Sequence, residues 1–502
     1  MLRVDSHPGG PMQRRRLGVA AAIIGLVVPM FAGAVISTAS GALAATPAVK
    51  VTGVPVGSPT FNGTLYSTTF DLSEVGYESS QYFLAGTAHS YVPAHPLTTD
   101  GRWSVMTGAS APYTTRIAVY RPVDPRQFNG TVLVEWLNVT GGVDAGPEWT
   151  LSHNELVREG FAWVGVSAQL VGVNNAKKTD PGEYRPLSHP GDSFSYDIFS
   201  QAGEVVRADA ATVLGGLTPR AVIAAGESQS AIRMMTYIDA VQPVAHVYDG
   251  FLVHSQFGTG AALSQAPQPS YPAPKPTTVR SDLGVPVLEF ETETDVSGSK
   301  LADRMFVGDP SNFRLWEVAG SSHYDYYGLI VGPTDTGNGQ GAAENLSGMQ
   351  FPPRSPGASL PSCVMPINTG GTHWVLDAAI SWLNQWVVNG TRPPQPPYLQ
   401  TTSSSPVAYA RDASGNVLGG VRSPQVDAPI ATLGGVGNSP AFCSLFGTTV
   451  AFSFSQVASL YPTHAQFVSK WEQAAQGEAL AGYLVPADVT ELDNAAAASW
   501  IW

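Results

Sequence analysis

A serine in the segment 226–230 (GESQS) has the sequence surroundings of a nucleophile. The segment follows the apolar run Ala221 to Ala225 and precedes an apolar helical pattern, which indicates a sharp turn between a strand and a helix. Such a turn strains the backbone of the serine and holds its oxygen clear of the sheet, provided that the residues two positions away are small. Gly226 and Ser230 are both small, although the usual motif has glycine at the second of these positions. We therefore predict Ser228 as a nucleophile, with helix N-capping as the alternative role.

A serine nucleophile needs a base, and a histidine in the right place along the chain can supply it. In a strand, turn and helix arrangement of this kind, the acid and then the histidine follow the serine. His323 stands directly after the apolar run Phe313 to Val318 and is the predicted base. His373, at the start of a helical pattern, is its competitor and is assigned to capping or packing. The remaining candidates are assigned structural roles: His153, His189, His246 and His254.

The acid is expected at the end of another buried strand, where three carboxylates follow the apolar run Val285 to Phe290. Asp295 is the preferred acid because it lies several residues past the run, where the chain can turn towards the imidazole. Glu293 remains a rival. Glu291 is expected to point away or to solvate a loop.

Attack on a carbonyl group creates an oxyanion, which needs preorganised N–H donors. The backbone N–H of Gln229, next after the nucleophile, is one predicted donor. The second is expected from the loop 137–142 (LNVTGG), with Val139 as the best candidate from its spacing. The glycine pair in this loop would let a substrate approach closely. A flexible connection without a catalytic role is the alternative.

The elements that must position these residues are six apolar runs, most of them separated by helix-length stretches. Runs that are apolar on both faces indicate strands buried between helices, and their spacing predicts an α/β fold with a mostly parallel central sheet and flanking helices. The six runs are Thr131 to Trp136, Phe161 to Ser167, Ala221 to Ala225, Val247 to Val253, Val285 to Phe290 and Phe313 to Val318.

Other segments surround this predicted sheet. Alternating residues from Phe83 to Val123 favour antiparallel strands. The stretches Gln256 to Gly284 and Gly332 to Ser362 are rich in proline and glycine and too long for ordinary connections, so they are candidates for lids or pocket walls. Trp374 to Val388 is predicted to form an amphipathic helix packed on the sheet. The region beyond Tyr398 has an extended part and a helical part, the latter from Ala465 to Ala481.

Composition excludes several classes of protein. Of 502 residues, 43% are hydrophobic and only 13% charged, which excludes a highly charged disordered chain and a polytopic membrane protein. The formal net charge is −13, and an acidic surface repels phosphate backbones, so a nucleic-acid partner is not expected.

The N-terminal residues have the pattern of an export signal. Arginines at 14–16 precede an uncharged run from Leu17 to about Ile36, and small residues follow up to Ala44. We predict that residues 1–44 are cleaved and that the mature chain is secreted, without stable insertion into a membrane. An uncleaved membrane anchor is the alternative. Whether export follows the general or the twin-arginine route stays open.

The chain has two cysteines, Cys363 and Cys443, both in the exported part. An even pair in an oxidising compartment is most simply one disulfide. Two free buried thiols are the alternative. No pattern of residues calls for a metal ion or another cofactor.

Four motifs together resemble those of α/β-hydrolase fold serine esterases: 138–142 (NVTGG), 226–230 (GESQS), 292–295 (TETD) and 319–323 (AGSSH). More narrowly, the chain is similar to exported proteins grouped as α/β-hydrolase domain-containing, distant relatives of tannases and feruloyl esterases. The resemblance covers most of the mature chain, including 386–394 (WVVNGTRPP) and the tail that contains Cys443. It implies an α/β-hydrolase domain over residues 45–398, and we predict that residues 399–502 form an extension packed on it.

The resemblance also implies ester hydrolysis without a cofactor, with Ser228 as nucleophile, His323 as base and Asp295 as the acid. The sequence departs from the family pattern at Ser230 and at the TETD segment, where many hydrolases have G-x-x-D. The second departure leaves the acid open between Asp295 and Glu293.

The leading hypothesis is therefore a secreted serine hydrolase that cleaves carboxylic esters of small molecules or polymers. An amidase or peptidase with the same triad and a non-catalytic module that binds a polymer are the alternatives. The sequence does not define the acyl group, the alcohol or the oligomeric state.

Overall fold

Nine strands form the central sheet among the residues that a computed structural model describes, which are 49–54, 61–305, 311–357 and 361–501. In chain order they are β1 (Lys50–Gly53), β2 (Tyr77–Pro93), β3 (Val105–Pro122), β4 (Thr131–Trp136), β5 (Ala162–Val166), β6 (Ala221–Glu227), β7 (Gly250–His254), β8 (Val287–Thr292) and β9 (Phe313–Val318). The predicted leader, residues 1–44, lies outside the described residues, so its cleavage and the export of the chain stay predictions.

The order of strands across the sheet is β1-β2-β3-β5-β4-β6-β7-β8-β9. The pairs β1/β2, β2/β3 and β3/β5 are antiparallel, and the five pairs from β5/β4 to β8/β9 are parallel. The predicted mostly parallel α/β sheet is thereby confirmed. The chain passes from β4 to one neighbour, β5, and then to the other, β6, so the carboxyl end of β4 is a topological switch point, where α/β sheets form ligand crevices.

Helices cover both faces of the sheet. The longer ones are α1 (Pro147–Arg158), α2 (Leu170–Thr179), α3 (Ser195–Ala208), α4 (Gln229–Thr236), α5 (Glu293–Ser299), α6 (Gln340–Gln350), α7 (Thr372–Asn389), α8 (Phe454–Leu460), α9 (His464–Ala481) and α10 (Pro486–Ala498). Short α-helical turns are Phe61–Thr64, Ala210–Val213, Gln242–Ala245 and Pro424–Asp427. Single turns of other helix types are Leu72–Val75, Pro125–Gln127, Asp192–Phe194, Tyr237–Val241, Ala302–Met305, Tyr327–Val331 and Ala441–Leu445.

Side chains on β4 show how the two faces are filled. Successive residues of a strand point to opposite faces. Val132 and Val134 belong to a core cluster shared with α3 and α4, whereas Leu133 belongs to a second cluster shared with α1 and α7. Burial on both faces explains why β4 reads as a continuous apolar run.

Helix α6 lies inside the stretch Gly332 to Ser362, where the sequence suggested only a long proline- and glycine-rich connection. Gly341 and Gly348 lower its intrinsic helix propensity. Its stability comes from packing, because Leu346 and Met349 are buried in the main core cluster. In the described part of the chain, no helix combines the length and apolarity needed to cross a membrane.

The C-terminal residues continue the fold past β9. Val421 forms a parallel bridge with Val318, the last residue of β9. Beyond it, Ala431–Gly434 pairs with Thr448–Ala451 in an antiparallel hairpin. Shorter pairs of strands join Leu65–Tyr66 to Asp144–Ala145 and Thr401–Ser404 to Val407–Tyr409. The described residues belong to one compact unit, and the domain boundary expected at residue 398 stays a prediction.

Cys363 and Cys443 are joined in a disulfide, as expected from the sequence. The bond links positions that are 80 residues apart. A crosslink of this length restricts the unfolded chain and stabilises the fold by about 4 kcal/mol. It ties the loop that follows α6 to the turn Ala441–Leu445 between the two strands of the C-terminal hairpin.

Candidate active site

Ser228 occupies a strained turn between β6 and α4. Its φ is 58° and its ψ is −117°, a conformation that non-glycine residues rarely adopt. The turn is held because the Ser228 N–H donates to the carbonyl oxygen of His254 at 2.9 Å. A side chain at Gly226 would place its Cβ 2.9 Å from the carbonyl oxygen of Ser230. Glycine is therefore required at 226, and with that space free a buried serine fits at 230.

His323 lies against Ser228 and Asp295 at once. Its Nε2 is 2.7 Å from Oγ of Ser228, and its Nδ1 is 2.6 Å from Oδ1 of Asp295. All three residues are buried, with 8% of Ser228 exposed at the surface. The ring of Phe257 stacks on the imidazole at 5.0 Å between centroids. The structure thus brings together the predicted nucleophile, the predicted base and the preferred acid.

Asp295 lies in the first turn of α5 and is fixed by hydrogen bonds to its second oxygen. Oδ2 accepts the N–H of Thr292 at 2.9 Å, the hydroxyl of Thr292 at 2.5 Å and the hydroxyl of Ser255 at 2.7 Å. These bonds leave Oδ1 directed at His323. Sequence reasoning missed the roles of Ser255 and Thr292, because small hydroxyl residues are common where strands end.

The pKa of Asp295 is lowered and that of His323 is raised, so each shift favours the charged form of its group. Burial alone raises the pKa of Asp295, but its interaction with His323 and the hydroxyl hydrogen bonds outweigh burial, so the pKa is lowered. Burial lowers the pKa of His323, but Asp295 outweighs this effect and the pKa is raised. A carboxylate on Nδ1 leaves Nε2 as the atom that accepts a proton from Ser228.

Glu293, the rival acid, makes different contacts. Its Oε1 accepts the N–H of Gly320 at 2.7 Å and its Oε2 accepts the N–H of Gly435 at 2.9 Å. Burial raises its pKa to about 7, against the lowering effect of these two hydrogen bonds. Glu293 thus joins the loop after β9 to the C-terminal residues.

Glu291, which was expected to point away or to solvate a loop, is fully buried. Its Oε1 accepts the N–H of Gln256 at 3.0 Å, and burial raises its pKa well above the ordinary value. Glu291 therefore bonds to a loop, which is one of the two roles expected for it, and it does so in the interior because β8 is covered on both faces up to its carboxyl end.

The loop that carries His323 is held by a hydroxyl and by the C-terminal hairpin. The His323 N–H donates to Oγ1 of Thr294 at 3.1 Å, and that hydroxyl donates to the carbonyl oxygen of Gly435 at 2.5 Å. The N–H of the next residue, Tyr324, donates to the carbonyl oxygen of Leu445 at 3.2 Å. Residues far along the chain therefore fix the imidazole in place.

His373 and His254, both assigned to structural roles from the sequence, make contacts of that kind. His373 stacks on Tyr327 at 3.8 Å, and its Nδ1 is 2.5 Å from the carbonyl oxygen of Leu151. His254 is buried, with Nδ1 3.3 Å from the carboxylate of Glu148.

The two predicted oxyanion donors, the N–H groups of Gln229 and Val139, follow the carboxyl ends of two neighbouring strands, β6 and β4. Gln229 is the first residue of α4, so its N–H has no acceptor within the helix. Val139 lies in the loop after β4. The backbone of its neighbour Asn138 pairs with Ala145, and the Asn138 side chain accepts the N–H of Thr140. None of these bonds uses the N–H of Val139.

The sequence model of the family described as Alpha/beta hydrolase domain matches residues 44–494. The chain belongs to this family. The resemblance seen in the sequence motifs is thereby confirmed, and membership supports a hydrolase.

Several solved structures match this one at low sequence identity. A serine hydrolase without a lid from Xanthomonas campestris is 14% identical, with 46% of this chain and 83% of that chain covered and a TM-score of 0.27. A fungal esterase from Rhizomucor miehei is 16% identical, with 50% and 78% covered and a TM-score of 0.26. An esterase from Pyrobaculum calidifontis is 14% identical, with 41% and 71% covered and a TM-score of 0.25. No curated protein matches the sequence.

In this α/β hydrolase, the candidate site occupies the carboxyl edge of the parallel strands. Ser228 follows β6, Ser255 follows β7, Asp295 follows β8 and His323 follows β9. The carboxyl ends of parallel strands meet at one edge, so side chains far apart in the sequence reach each other. The arrangement can take a proton from a hydroxyl and stabilise the resulting imidazolium.

Proposed function

We propose that the protein is a serine hydrolase that cleaves carboxylic esters through an acyl-enzyme. One observation carries the proposal. The hydroxyl of Ser228, on a strained turn, lies 2.7 Å from Nε2 of an imidazole whose Nδ1 is held by Asp295. Family membership supports the broader assignment as a hydrolase.

The geometry fits acylation followed by deacylation. Nε2 of His323 accepts the hydroxyl proton while Oγ of Ser228 bonds to the ester carbonyl carbon. The carbonyl oxygen becomes an oxyanion, for which we propose the N–H groups of Gln229 and Val139 as donors. The imidazolium then gives its proton to the departing alcohol. Water, deprotonated by the same imidazole, attacks the acyl group and releases the acid and the free serine.

Covalent labelling tests the proposal without knowledge of the substrate. We expect a fluorophosphonate to phosphonylate the wild-type protein once, at Ser228, with loss of fluoride. Intact-mass and peptide-mass measurements detect the adduct, and hydrolysis of p-nitrophenyl esters is followed in parallel with that of matched p-nitroanilides. Labelling elsewhere would contradict the assignment of the nucleophile, and anilides cleaved as fast as esters would contradict the assignment to esters.

The raised pKa of His323 predicts how activity depends on pH. Only neutral His323 accepts the proton of Ser228, so kcat/KM falls as the pH is lowered through the pKa of this group. Because that pKa is raised, we expect the midpoint of the acid limb above the ordinary histidine value of about 6.5. A profile of kcat/KM for a neutral ester from pH 5 to 9 measures the midpoint. A midpoint below the ordinary value would show that another group controls the acid limb.

A further inference from the structure

Glu227, the last residue of β6, places a second carboxyl group at the candidate base. Its Oε1 is 3.4 Å from Nε2 of His323, on the opposite side of the imidazole from Asp295. Its Oε2 accepts an N–H of the Asn138 side chain at 3.0 Å, and the same amide nitrogen donates to the backbone carbonyl oxygen of Glu227 at 3.1 Å. A single buried side chain therefore contacts both the imidazole and the residue next to Val139.

The surroundings of Glu227 show that its charge is linked to that of the imidazole. Burial raises the pKa of Glu227 to about 7, while His323 and His254 lower it and Glu148 and Asp295 raise it. Tyr324, beside His323, also faces this carboxyl group. The charge of Glu227 therefore depends on the charge of His323.

We propose that Glu227 is a positioning residue with two effects: its carboxylate stabilises the imidazolium form of His323, and its hydrogen bond with Asn138 fixes the loop that carries Val139. This inference rests on the proposed function, because both effects matter at the moment when Ser228 attacks.

The two effects follow from where charge develops. When the proton moves from Ser228 to His323, Nε2 acquires the positive charge that a carboxylate 3.4 Å away attracts. The oxyanion forms at the same time and needs donors that are already in place. The bond from Asn138 to Glu227 joins the loop after β4 to the strand that ends at the nucleophile, so the donor of the loop and the attacking oxygen keep a fixed separation.

Glu227→Gln tests the effect of the charge. The amide keeps an oxygen that accepts the Asn138 N–H but carries no negative charge. We expect the pKa of His323, measured by ¹⁵N NMR with the signal assigned from a His323→Ala variant, to fall by about one unit. The acid limb of kcat/KM should shift to lower pH by the same amount, and kcat on the plateau should fall about tenfold.

Asn138→Ala tests the effect on the loop. This change leaves the carboxylate beside His323 and removes every bond of the Asn138 side chain: those to the carboxylate and the backbone carbonyl oxygen of Glu227, and the one from the Thr140 N–H. We expect kcat to fall between about tenfold and a hundredfold, because a small displacement of a donor costs much of its effect, with no shift of the acid limb. Glu291→Gln is the matched control: it replaces a buried carboxyl group near the end of the next-but-one strand by an amide, and the His323 titration should stay within about 0.3 units of the wild type.

The results separate this inference from the proposed function. A wild-type protein that hydrolyses no ester contradicts the proposed function, whatever the NMR titration shows. In an active protein, an unshifted His323 titration in Glu227→Gln overturns the effect of the charge. Full activity in Asn138→Ala overturns the effect on the loop. A shift as large in Glu291→Gln would show a general response to the replacement of a buried carboxyl group and would also overturn the assignment to Glu227.

Discussion

Ser228→Ala is expected to lower kcat for short p-nitrophenyl esters by about 10⁴-fold or more. The substitution removes the oxygen that would form the acyl-enzyme and leaves the backbone N–H donors in place. Some hydrolysis above the rate in water should persist, because those donors still stabilise an oxyanion formed by attack of water. Steady-state rates and the fluorophosphonate adduct are measured on the same preparation.

Ser230→Ala is the matched control for this prediction. Ser230 is also a buried serine on the same turn, two residues further on. Its side chain fits in the space beside Gly226, and alanine fits there as well. We expect kcat within about threefold of the wild type, since changes away from reacting groups have small effects. Equal activity in the Ser228→Ala variant would exclude the proposed nucleophile.

Asp295→Asn is expected to lower kcat by about 10⁴-fold with little change in the fold. Asparagine has almost the same shape, and its oxygen can still accept bonds from Thr292 and Ser255. Its amide nitrogen, however, would face Nδ1 of His323 as a donor and favour the tautomer in which Nε2 carries the proton. That tautomer cannot accept the proton of Ser228. Rates with p-nitrophenyl esters at the plateau pH measure the loss.

Glu293→Gln provides the comparison that decides between the two acidic residues. An amide at 293 can accept from only one of the N–H groups of Gly320 and Gly435, so we expect a lower free energy of unfolding. The effect on kcat should be about tenfold at most. Denaturant unfolding and steady-state rates are measured for both variants. A loss of about 10⁴-fold in Glu293→Gln, together with an active Asp295→Asn, would reverse the assignment.

The parallel sheet could be predicted because its strands are buried on both faces. Strands β4 and β9 coincide with the apolar runs at 131–136 and 313–318. Elements whose stability comes mainly from packing were missed: β1 is a short edge strand of four residues, and α6 and α10 are rich in glycine or alanine with little amphipathic contrast. No local sequence pattern indicates packing of this kind.

The candidate triad could be predicted from the order of residue types at strand ends, but the residues that orient it could not. Ser255 bonds to Asp295 from 40 positions away, and Thr294 bonds to Gly435 across 141 positions. The sequence around a hydroxyl residue or a glycine does not indicate contacts with residues so far along the chain. The sequence favoured Asp295 by its position but left Glu293 as a rival, because the two stand in the same short segment.

The C-terminal hairpin makes the candidate site depend on residues that are synthesised after the three side chains of the site. Gly435 and Leu445 bond to the segments that carry Glu293, Thr294 and Tyr324. The ribosome adds Gly435 and Leu445 to the chain more than a hundred residues after those segments. A nascent chain that already contains serine, aspartate and histidine still lacks the partners that fix them. A nonsense codon ahead of the hairpin would release a product without these contacts, so we expect the arrangement of the three side chains to form only after the hairpin has been synthesised.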